Sequence, residues 1–230
     1  MGATEPQASL EAIAAHALQF VSEGAVVGLG SGRAAAAFVR ALGERVRNGM
    51  RVTGVATSEA TAALAQRCGI PLVRMQDIDA IDVTLDGADE VDPHLDLIKG
   101  YGGALLREKI VASASRQTII LVGSEKLVPV LGTLGVLPVE VLPFALSHCR
   151  RLLEALGLRP LLRTSGTEPF VTDSGNYIVD CRVQPMHEPQ VLDASVLEIA
   201  GVIDTGLFLG IAERVLVGSV DSVRELVRKA

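Results

Sequence analysis

Segments of strand type alternate with segments of helix type through the first half of this 230-residue chain. Short apolar runs bounded by glycine, proline or polar residues predict five strands, at residues 25–29, 52–56, 71–74, 82–86 and 118–122. Segments rich in alanine and leucine predict helices before and between them, at residues 10–21 with Ser9 as the N-cap, 33–47, 58–66 and 104–115. Alternating strands and helices form βαβ units, in which parallel strands make one sheet and helices cover both of its faces. We therefore predict an α/β fold with a mostly parallel sheet.

The pattern changes after about Leu131. A small α+β unit is predicted by the segment LPVEVLPF, a helix at 147–156 and the β-rich segment PFVTDSGNYIVDCRV, which has a hairpin turn at 173–176. A predicted helix at 207–214 and a strand at 214–217 then return the chain to the main sheet. We predict two domains, a main domain of residues 1–131 and 204–230 and a smaller α+β domain of residues 132–203.

The composition argues against several classes of function. Hydrophobic residues make up 49% of the chain and aromatic residues only 3%, so the core must be mainly aliphatic. There are 21 lysines and arginines against 27 aspartates and glutamates, and the net charge of −6 argues against nucleic acid or an anionic membrane surface as a partner. No apolar run approaches the roughly 20 residues of a membrane span, and the N-terminal segment lacks the basic start of a secretory signal. We predict a soluble, cytoplasmic protein.

Neither the cysteines nor the histidines have the spacing of a disulfide framework or a metal site. An odd number of widely separated cysteines is typical of small buried side chains in a reducing compartment. We therefore predict no metal. The residues concerned are Cys68, Cys149, Cys181, His16, His94, His148 and His187.

A glycine-rich loop, GLGSGR at 28–33, joins the first predicted strand to the next helix. Main-chain N–H groups and a helix N-terminus in this arrangement bind anions. A dinucleotide-binding loop would have a third glycine where Arg33 stands, and an acidic residue near Thr57 and Ser58 at the end of the second strand. A phosphate monoester is therefore the better ligand, and a tight turn that binds nothing is the alternative.

A second polar segment, residues 81–115, carries a group of charged residues around a turn and a glycine loop. Alternating apolar and polar positions predict a strand that ends at Asp86, and the turn that follows carries Asp89. Lys99 precedes the loop GYGG, whose small residues let main-chain N–H groups approach a ligand. The helix that follows begins with a partial positive charge beside this loop.

Within that helix, Arg107, Glu108 and Lys109 interrupt an apolar segment. Successive helical residues are about 100° apart, so the three span roughly 200° and cannot share one narrow solvent face. We predict that at least one of them points into a polar cavity. The alternative is that all three reach the surface or pair with the acidic turn.

Two segments of this region, DGADEVD (86–92) and LIKGYGGALLREKIVA (97–112), resemble the signature of the type A ribose-5-phosphate isomerases. Four further segments resemble blocks of that family in the expected order: VVGLGSGRAA (26–35), LPVEVLPFA (137–145), VTDSGNYIVD (171–180) and IAGVIDTGLF (199–208). The resemblance covers nearly the whole chain. It implies a Rossmann-like main domain with helices on both faces of its sheet, a smaller inserted α+β domain, and a homodimer, with a tetramer as the alternative.

The resemblance also implies an activity, the interconversion of D-ribose 5-phosphate and D-ribulose 5-phosphate through a cis-enediolate. This is an aldose–ketose isomerisation of the non-oxidative pentose phosphate pathway, and it implies no metal or other cofactor. In the family motif Glu108 corresponds to the base and Asp86 to the acid/base that opens the sugar ring. Asp89 corresponds to a carboxylate that binds substrate hydroxyls, and Lys99 to the cation near the reacting oxygens.

The glycine loop departs from the family pattern. The usual form GTGSTA has a Ser-Thr pair where Arg33 and Ala34 stand here. Ser31 and the main-chain N–H groups of Gly30 and Gly32 remain. We predict that Arg33 replaces the missing phosphate contacts, because a guanidinium binds phosphate through two parallel hydrogen bonds. The other groups predicted to bind the substrate or its phosphate are Ala34, Gly100, Gly102, Gly103 and Lys126.

Three alternatives stay open. A non-catalytic sugar-phosphate sensor would share the fold but would not need all four charged groups. A CoA-transferase would use a glutamate as an acyl-accepting nucleophile. A changed sugar-phosphate preference is the third, because the glycine loop is altered and Tyr101 replaces a glycine of the family pattern.

Overall fold

The computed structural model describes residues 7–219 and 222–229, which form six α-helices and fifteen strands. The helices are α1 (Gln7–Ala17), α2 (Arg33–Arg47), α3 (Glu59–Arg67), α4 (Leu105–Ser113), α5 (Leu146–Ala155) and α6 (Pro189–Leu197). The strands are β1 (Val26–Leu29), β2 (Thr53–Ala56), β3 (Val83–Asp86), β4 (Glu90–Val91), β5 (Leu97–Ile98), β6 (Thr118–Gly123), β7 (Val136–Val141), β8 (Arg159–Leu162), β9 (Thr164–Ser165), β10 (Glu168–Pro169), β11 (Tyr177–Arg182), β12 (Val202–Thr205), β13 (Leu207–Phe208), β14 (Arg214–Gly218) and β15 (Val223–Val227). None of the described helices is long and apolar enough to cross a membrane.

The largest sheet has six strands in the order β15-β14-β6-β3-β1-β2. Neighbouring strands are parallel except for β14 and β15, which pair antiparallel at one edge. Leu85 and Ile119 pack with α1 and α2 on one face, whereas Ile120 and Val122 belong to a separate apolar cluster on the other. Because both faces are covered, β6 is buried along its whole length. The predicted α/β fold with a mostly parallel sheet is confirmed.

Two predicted elements are wrong and a third is misplaced. Residues 71–74 make only a single bridge to β2, because Pro71 has no N–H group with which to extend a ladder. Residues 207–214 form no helix, since the chain enters the two-residue strand β13, pairs with β5 and then turns at Gly210, where φ is +72°. Ser9, the predicted N-cap, lies inside α1, which begins two residues earlier at Gln7.

The second sheet has four antiparallel strands in the order β12-β7-β11-β8. One face packs against α5 and α6 in an aliphatic core that includes the free thiols of Cys149 and Cys181. The second sheet is joined to the residue that follows β5 by main-chain hydrogen bonds at Gly206, whose N–H donates to the Pro138 carbonyl at 2.7 Å and whose carbonyl accepts from the Lys99 N–H at 2.8 Å. The division of the chain into two domains stays a prediction.

A small antiparallel sheet, β13-β5-β4, folds the acidic turn back onto the lysine loop. Glu90 in β4 lies opposite Ile98 in β5, and the Asp89 N–H donates to the Ile98 carbonyl at 2.8 Å. Asp89 and Lys99 therefore stand at the same end of this hairpin, although ten residues of sequence separate them.

Candidate active site

The largest sheet reverses its winding between β1 and β3, since β2 lies outside β1 on one side and β6 lies beyond β3 on the other. The carboxyl ends of strands at such a point form a crevice in which α/β proteins bind ligands. A cavity of about 620 Å³ opens here, within the range of small-molecule sites. It is lined by Ser31, Gly32, Arg33, Ala34, Gly87, Ala88, Asp89, Lys99, Gly100, Gly102, Glu108, Leu121, Val122, Glu125, Lys126 and Leu134.

Three buried charged side chains meet beside this cavity. The Lys99 Nζ lies 3.0 Å from the Asp86 Oδ2 and 3.2 Å from the Glu108 Oε2. The exposed fractions of Asp86, Lys99 and Glu108 are 2%, 3% and 4%. Such groups are rarely this deeply buried unless they are paired, and buried clusters with perturbed proton affinity are concentrated at functional sites.

The Asp86 carboxylate is fixed by main-chain donors at the end of β3. Its Oδ1 accepts from the Ser31 N–H at 3.0 Å and from the Gly87 N–H at 2.7 Å. Gly30 lies so close that a Cβ there would stand 2.2 Å from the same oxygen, so this position requires glycine. Gly30 thus shapes the site from behind the cavity wall and does not line it.

The Lys99 side chain is held by four groups. Besides the two carboxylates, its Nζ donates to the Gly87 carbonyl at 2.5 Å. The Phe208 ring of β13 lies 5.3 Å from the Nζ, a distance at which an aromatic face stabilises a cation. The ammonium group therefore has a fixed position between Asp86 and Glu108.

The three consecutive charged residues of α4 diverge as their helical spacing requires. Arg107 binds Asp173 and Ser174, and Lys109 donates to the Asp204 carboxylate at 2.5 Å. Glu108 turns inward and lines the cavity, which confirms that at least one of the three points into a polar cavity. Its Oε2 makes no well-directed hydrogen bond within the described residues, so this oxygen can accept a bond from a ligand.

Burial raises the pKa of the Glu108 carboxyl, and the Asp86 carboxylate raises it further, while the Lys99 ammonium opposes both. Burial alone would lower the pKa of Lys99, but the carboxylates of Asp86 and Glu108 outweigh it and the pKa is raised. The two effects are linked, because a protonated Glu108 no longer attracts Lys99. When Glu108 is protonated, Asp86 remains as the counterion of Lys99. Glu108 ionises at a higher pH than an exposed glutamate.

Asp89 lines the cavity beside this cluster and accepts from the Tyr101 N–H at 3.0 Å. Burial raises the pKa of the Asp89 carboxyl, against the opposing effects of that N–H group and of Lys99, Lys126 and Arg163. Glu125 and Lys126 also line the cavity, so this part of the lining carries two carboxylates and two lysines. The Tyr101 ring does not line the cavity.

The glycine loop forms another wall, where Ser31, Gly32, Arg33 and Ala34 lead into α2. Gly32 has a φ of +91° and is the N-cap of this helix, so the first N–H groups of α2 lie next to the cavity. The exposed Arg33 side chain starts from the first helical position. Helix and guanidinium together make this wall electropositive.

The Ser31 hydroxyl belongs to a cluster of four hydroxyl groups. Its Oγ lies 2.8 Å from the Thr57 Oγ1, 2.8 Å from the Ser58 Oγ and 3.2 Å from the Thr61 Oγ1. Thr57 and Thr61 also donate to the carbonyls of Leu29 and Gly30. These bonds fix the glycine loop against the start of α3. The Ser31 hydroxyl therefore has hydrogen-bond partners within the protein and stabilises the loop.

The three remaining glycines of the prediction play different parts. Gly100 and Gly102 line the cavity, whereas Gly103 packs against the Phe170 ring, which a Cβ would approach to 2.5 Å. Gly100 and Gly103 both have positive φ, 110° and 84°, which a residue with a side chain adopts with strain. In the glycine loop before α4, Gly100 and Gly102 therefore leave room for a ligand, whereas Gly103 leaves room for the Phe170 ring.

Arg163 is a further residue of the site that sequence reasoning missed. Its guanidinium pairs with the Asp180 carboxylate at 2.5 and 2.9 Å, and its Nη1 donates to the carbonyls of Gly100 and Tyr101 at 2.8 and 3.1 Å. It thus fixes the lysine-loop backbone from the second sheet. Arg163 belongs to no motif and lies about 60 residues away in sequence, so no local signal could have found it.

Comparison with known proteins agrees with this geometry. The sequence model of the family described as ribose 5-phosphate isomerase A (phosphoriboisomerase A) matches residues 53–222. A ribose-5-phosphate isomerase A of Thermomicrobium roseum is 49% identical over 220 residues, covering 95% of this chain and 93% of the relative. That of Sphingopyxis alaskensis is 48% identical over 210 residues, covering 91% and 92%.

Solved structures agree as well. A D-ribose-5-phosphate isomerase in complex with phospho-erythronic acid is 38% identical, with a TM-score of 0.91 over 95% of this chain and 98% of the other. Ribose 5-phosphate isomerase A from Methanocaldococcus jannaschii is 36% identical, with a TM-score of 0.90 over 95% and 97%. A relative above 30% identity over nearly the full length of both chains shares more than a fold. The chain belongs to the ribose 5-phosphate isomerase A family.

Proposed function

We propose that this protein is an aldose–ketose isomerase that interconverts D-ribose 5-phosphate and D-ribulose 5-phosphate. The observation that carries the proposal is the buried Asp86–Lys99–Glu108 cluster beside a cavity with an electropositive wall at the start of α2. Relatives in the family are named ribose-5-phosphate isomerase A, and one similar solved structure is a complex with phospho-erythronic acid. The carboxylate of such an acid resembles the planar, negatively charged enediolate that links an aldose to its ketose.

The reaction moves one proton between neighbouring carbons. Glu108 removes the proton from C2 of the open-chain aldose, the C1 carbonyl oxygen becomes the enediolate oxyanion, and the same carboxyl returns the proton to C1. The hydroxyl proton on O2 is lost and O1 gains one, so the product is the ketose. Glu108 lines the cavity, and burial raises its pKa. Both observations support this role, since one base can reach both carbons from one side.

Lys99 stabilises the negative charge that develops on the sugar oxygens. A fixed ammonium in a site with little water is worth more than in solution and need not rearrange during the reaction. Asp86 opens the sugar ring by proton exchange with the ring and C1 oxygens, and Asp89 binds substrate hydroxyls. The 3.0 Å contact between Asp86 and Lys99 and the position of Asp89 in the same wall support these roles.

The phosphate end of the substrate binds at the N-terminus of α2. Arg33, the first N–H groups of that helix and Lys126 form the positive part of the cavity, and this local charge suits an anionic substrate in a protein of net charge −6. Arg33 takes the place of the Ser-Thr pair usual in the family. Ala34 contributes to this wall through its main chain.

Replacing Arg33 with alanine is expected to raise the KM for ribose 5-phosphate about tenfold, with kcat within about threefold of the wild-type value. The guanidinium binds the phosphate equally in the ground state and the transition state, so its loss weakens binding and leaves the proton transfer intact. Steady-state kinetics measure both constants. Arg40→Ala, an exposed arginine of the same helix that does not line the cavity, is the matched control. An unchanged KM in Arg33→Ala refutes the phosphate role.

The pH dependence of kcat/KM is expected to show an acid limb with its midpoint well above 4.5, the ordinary pKa of a glutamate. Burial raises the pKa of Glu108, so the carboxyl stays protonated, and inactive as a base, up to a higher pH, and activity rises as the pH passes that value. The substrate phosphate also ionises, near pH 6. The phosphorus NMR shift of free ribose 5-phosphate, measured over the same range, reports the ionisation of the phosphate alone. An acid limb that coincides with this ionisation counts against Glu108 as its source.

A coupled assay for ribulose 5-phosphate formed from ribose 5-phosphate tests the proposal directly. Turnover is the expected result. A sugar-phosphate sensor would bind ribose 5-phosphate without turnover, and a CoA-transferase would act only with an acyl-CoA donor. A larger kcat/KM for another aldose phosphate would show a changed sugar preference, which the altered glycine loop makes the second candidate.

We further infer that the protein works as a cytoplasmic homodimer. The family resemblance supports the oligomer, and the free state of Cys68, Cys149 and Cys181 suits a reducing compartment. Sedimentation equilibrium of the purified protein distinguishes a monomer, a dimer and a tetramer.

A further inference from the structure

Arg163 is a charged residue near the site that the proposed reaction does not use. It follows β8 in the second sheet and reaches the lysine loop (residues 99–103) without lining the cavity. Its side chain is only 15% exposed. A guanidinium has five N–H donors in a rigid plane, so it can bind several acceptors at once and hold them in a fixed arrangement.

Two kinds of acceptor bind this guanidinium. The Asp180 carboxylate in β11 accepts from Nη2 at 2.5 Å and from Nε at 2.9 Å. The Nη1 donates to the carbonyls of Gly100 and Tyr101 at 2.8 and 3.1 Å. Because two parallel hydrogen bonds to a carboxylate fix the plane of a guanidinium, Asp180 determines where the Nη1 meets the lysine loop.

The Phe170 ring gives the second sheet another contact with the same loop. Its centroid lies 5.9 Å from the guanidinium carbon of Arg163, and a Cβ at Gly103 would stand 2.5 Å from the ring. The Phe170 N–H donates to the Arg163 carbonyl at 2.9 Å, so the ring and the guanidinium belong to one hydrogen-bonded unit. The lysine loop is therefore held at Gly100, Tyr101 and Gly103.

One peptide group links this unit to the cavity wall. The carbonyl of Gly100 accepts from Arg163, and the N–H of Tyr101, which belongs to the same peptide group, donates to the Asp89 Oδ2 at 3.0 Å. A trans peptide group is planar and its C=O and N–H point in opposite directions, so a bond that fixes one also aims the other. Gly100 has a φ of +110° and no side chain, so this peptide group needs an outside contact to hold it.

We propose that Arg163 is a positioning residue for Asp89: it holds the Gly100–Tyr101 peptide group in the orientation in which its N–H fixes the carboxylate that binds substrate hydroxyls. The proposal rests on the isomerase function proposed above. It predicts that substrate binding depends on an arginine that never touches the sugar. Proton transfer depends on Arg163 less, because the Lys99 ammonium is fixed by other contacts.

Arg163→Lys tests the proposal with the charge retained. An ammonium is a point charge and cannot bind the Asp180 carboxylate and the loop carbonyls in one plane. We expect the KM for ribose 5-phosphate to rise about threefold to tenfold, with kcat within about threefold of the wild-type value. Amide hydrogen exchange at Tyr101 should become at least about tenfold faster. Asp180→Asn, which weakens the anchor of the guanidinium, should change both quantities in the same direction.

A double-mutant cycle shows whether Arg163 acts through Asp89. Asp89→Ala removes the carboxylate that the Tyr101 N–H fixes, and it should raise KM by itself. Adding Arg163→Lys to Asp89→Ala should then raise KM by less than about twofold more, because the group to be positioned is already absent. Effects of the two substitutions that multiply in full would show that Arg163 acts on binding by another route, and would overturn the proposal.

Arg228→Lys is the matched control. The Arg228 guanidinium also pairs with a carboxylate, that of Asp96, and donates to two main-chain carbonyls, those of Leu95 and Ala212, but none of these residues lines the cavity. The substitution should lower the unfolding temperature and leave KM and the exchange at Tyr101 unchanged. Equal changes of KM and exchange in this control would count the Arg163 effect as general destabilisation and overturn the proposal.

The exchange measurement separates this proposal from the isomerase function, because it needs no turnover. Unchanged exchange at Tyr101 in Arg163→Lys overturns the positioning role, whatever the activity. An inactive wild-type protein refutes the isomerase function, while the exchange still decides whether Arg163 holds the peptide group. Where Arg163→Lys does not fold, Asp180→Asn decides by the same two measurements.

Discussion

Glu108→Gln is expected to lower kcat about 10³- to 10⁴-fold while KM stays within about threefold. The amide has nearly the same size but cannot accept a proton from C2 of the sugar. Asp86, 3.0 Å from Lys99, is held by two main-chain donors and its counterion, so it is poorly placed to act instead. Steady-state kinetics and the exchange of the substrate C2 proton with solvent, followed by NMR, measure the loss. Retained C2 exchange would show that another group is the base.

The same substitution is expected to stabilise the fold at alkaline pH. The pKa of Glu108 is raised in the folded protein, so the folded state binds this proton more tightly than the unfolded chain. The free energy of unfolding of the wild-type protein therefore falls as the pH rises through the raised pKa of Glu108. A glutamine at this position does not ionise and causes no such loss. The unfolding temperature of Glu108→Gln should exceed that of the unchanged protein at about pH 9, with a smaller difference at about pH 5. Glu154→Gln, an exposed glutamate of α5, should change neither activity nor this difference.

Much of the fold was predictable because its signals are local. The strand that ends at Asp86 shows the alternation of period two, and the glycine loop before α2 shows the geometry of an anion site. The divergence of Arg107, Glu108 and Lys109 follows from helical spacing alone. The family resemblance then named the four charged residues. The structure brings Asp86, Lys99 and Glu108 into direct contact and puts Asp89 in the same cavity wall.

Other features depend on contacts between distant segments, which no local pattern reveals. Residues 207–214 were predicted as a helix, and only the pairing of residues 207–208 with β5 makes β13 a strand. Arg163 fixes the lysine loop from the second sheet, and 63 residues of sequence separate it from Gly100. Gly30 looked like a ligand-binding glycine, but the close approach of Asp86 explains it.

Lys99→Met is the second substitution with a large expected effect. It should lower kcat about 10²- to 10³-fold, because the enediolate loses its fixed cation. It should also destabilise the fold by about 3–5 kcal/mol near neutral pH, because two buried carboxylates are left facing each other without a counterion. Kinetics and denaturant unfolding at several pH values measure the two losses.

The pH dependence separates a lost charge from lost packing. In Lys99→Met, one carboxyl of the Asp86–Glu108 pair must take up a proton on folding, so the folded state binds more protons than the unfolded chain. The variant is therefore most unstable at alkaline pH and recovers as the pH falls. Adding Asp86→Asn removes one of the facing charges and should restore most of the stability without restoring activity, because the proposed mechanism requires both Asp86 and the cation. A Lys99→Met protein whose instability is the same at about pH 5 and pH 9, or whose kcat is within about tenfold of normal, would contradict this electrostatic role for the lysine.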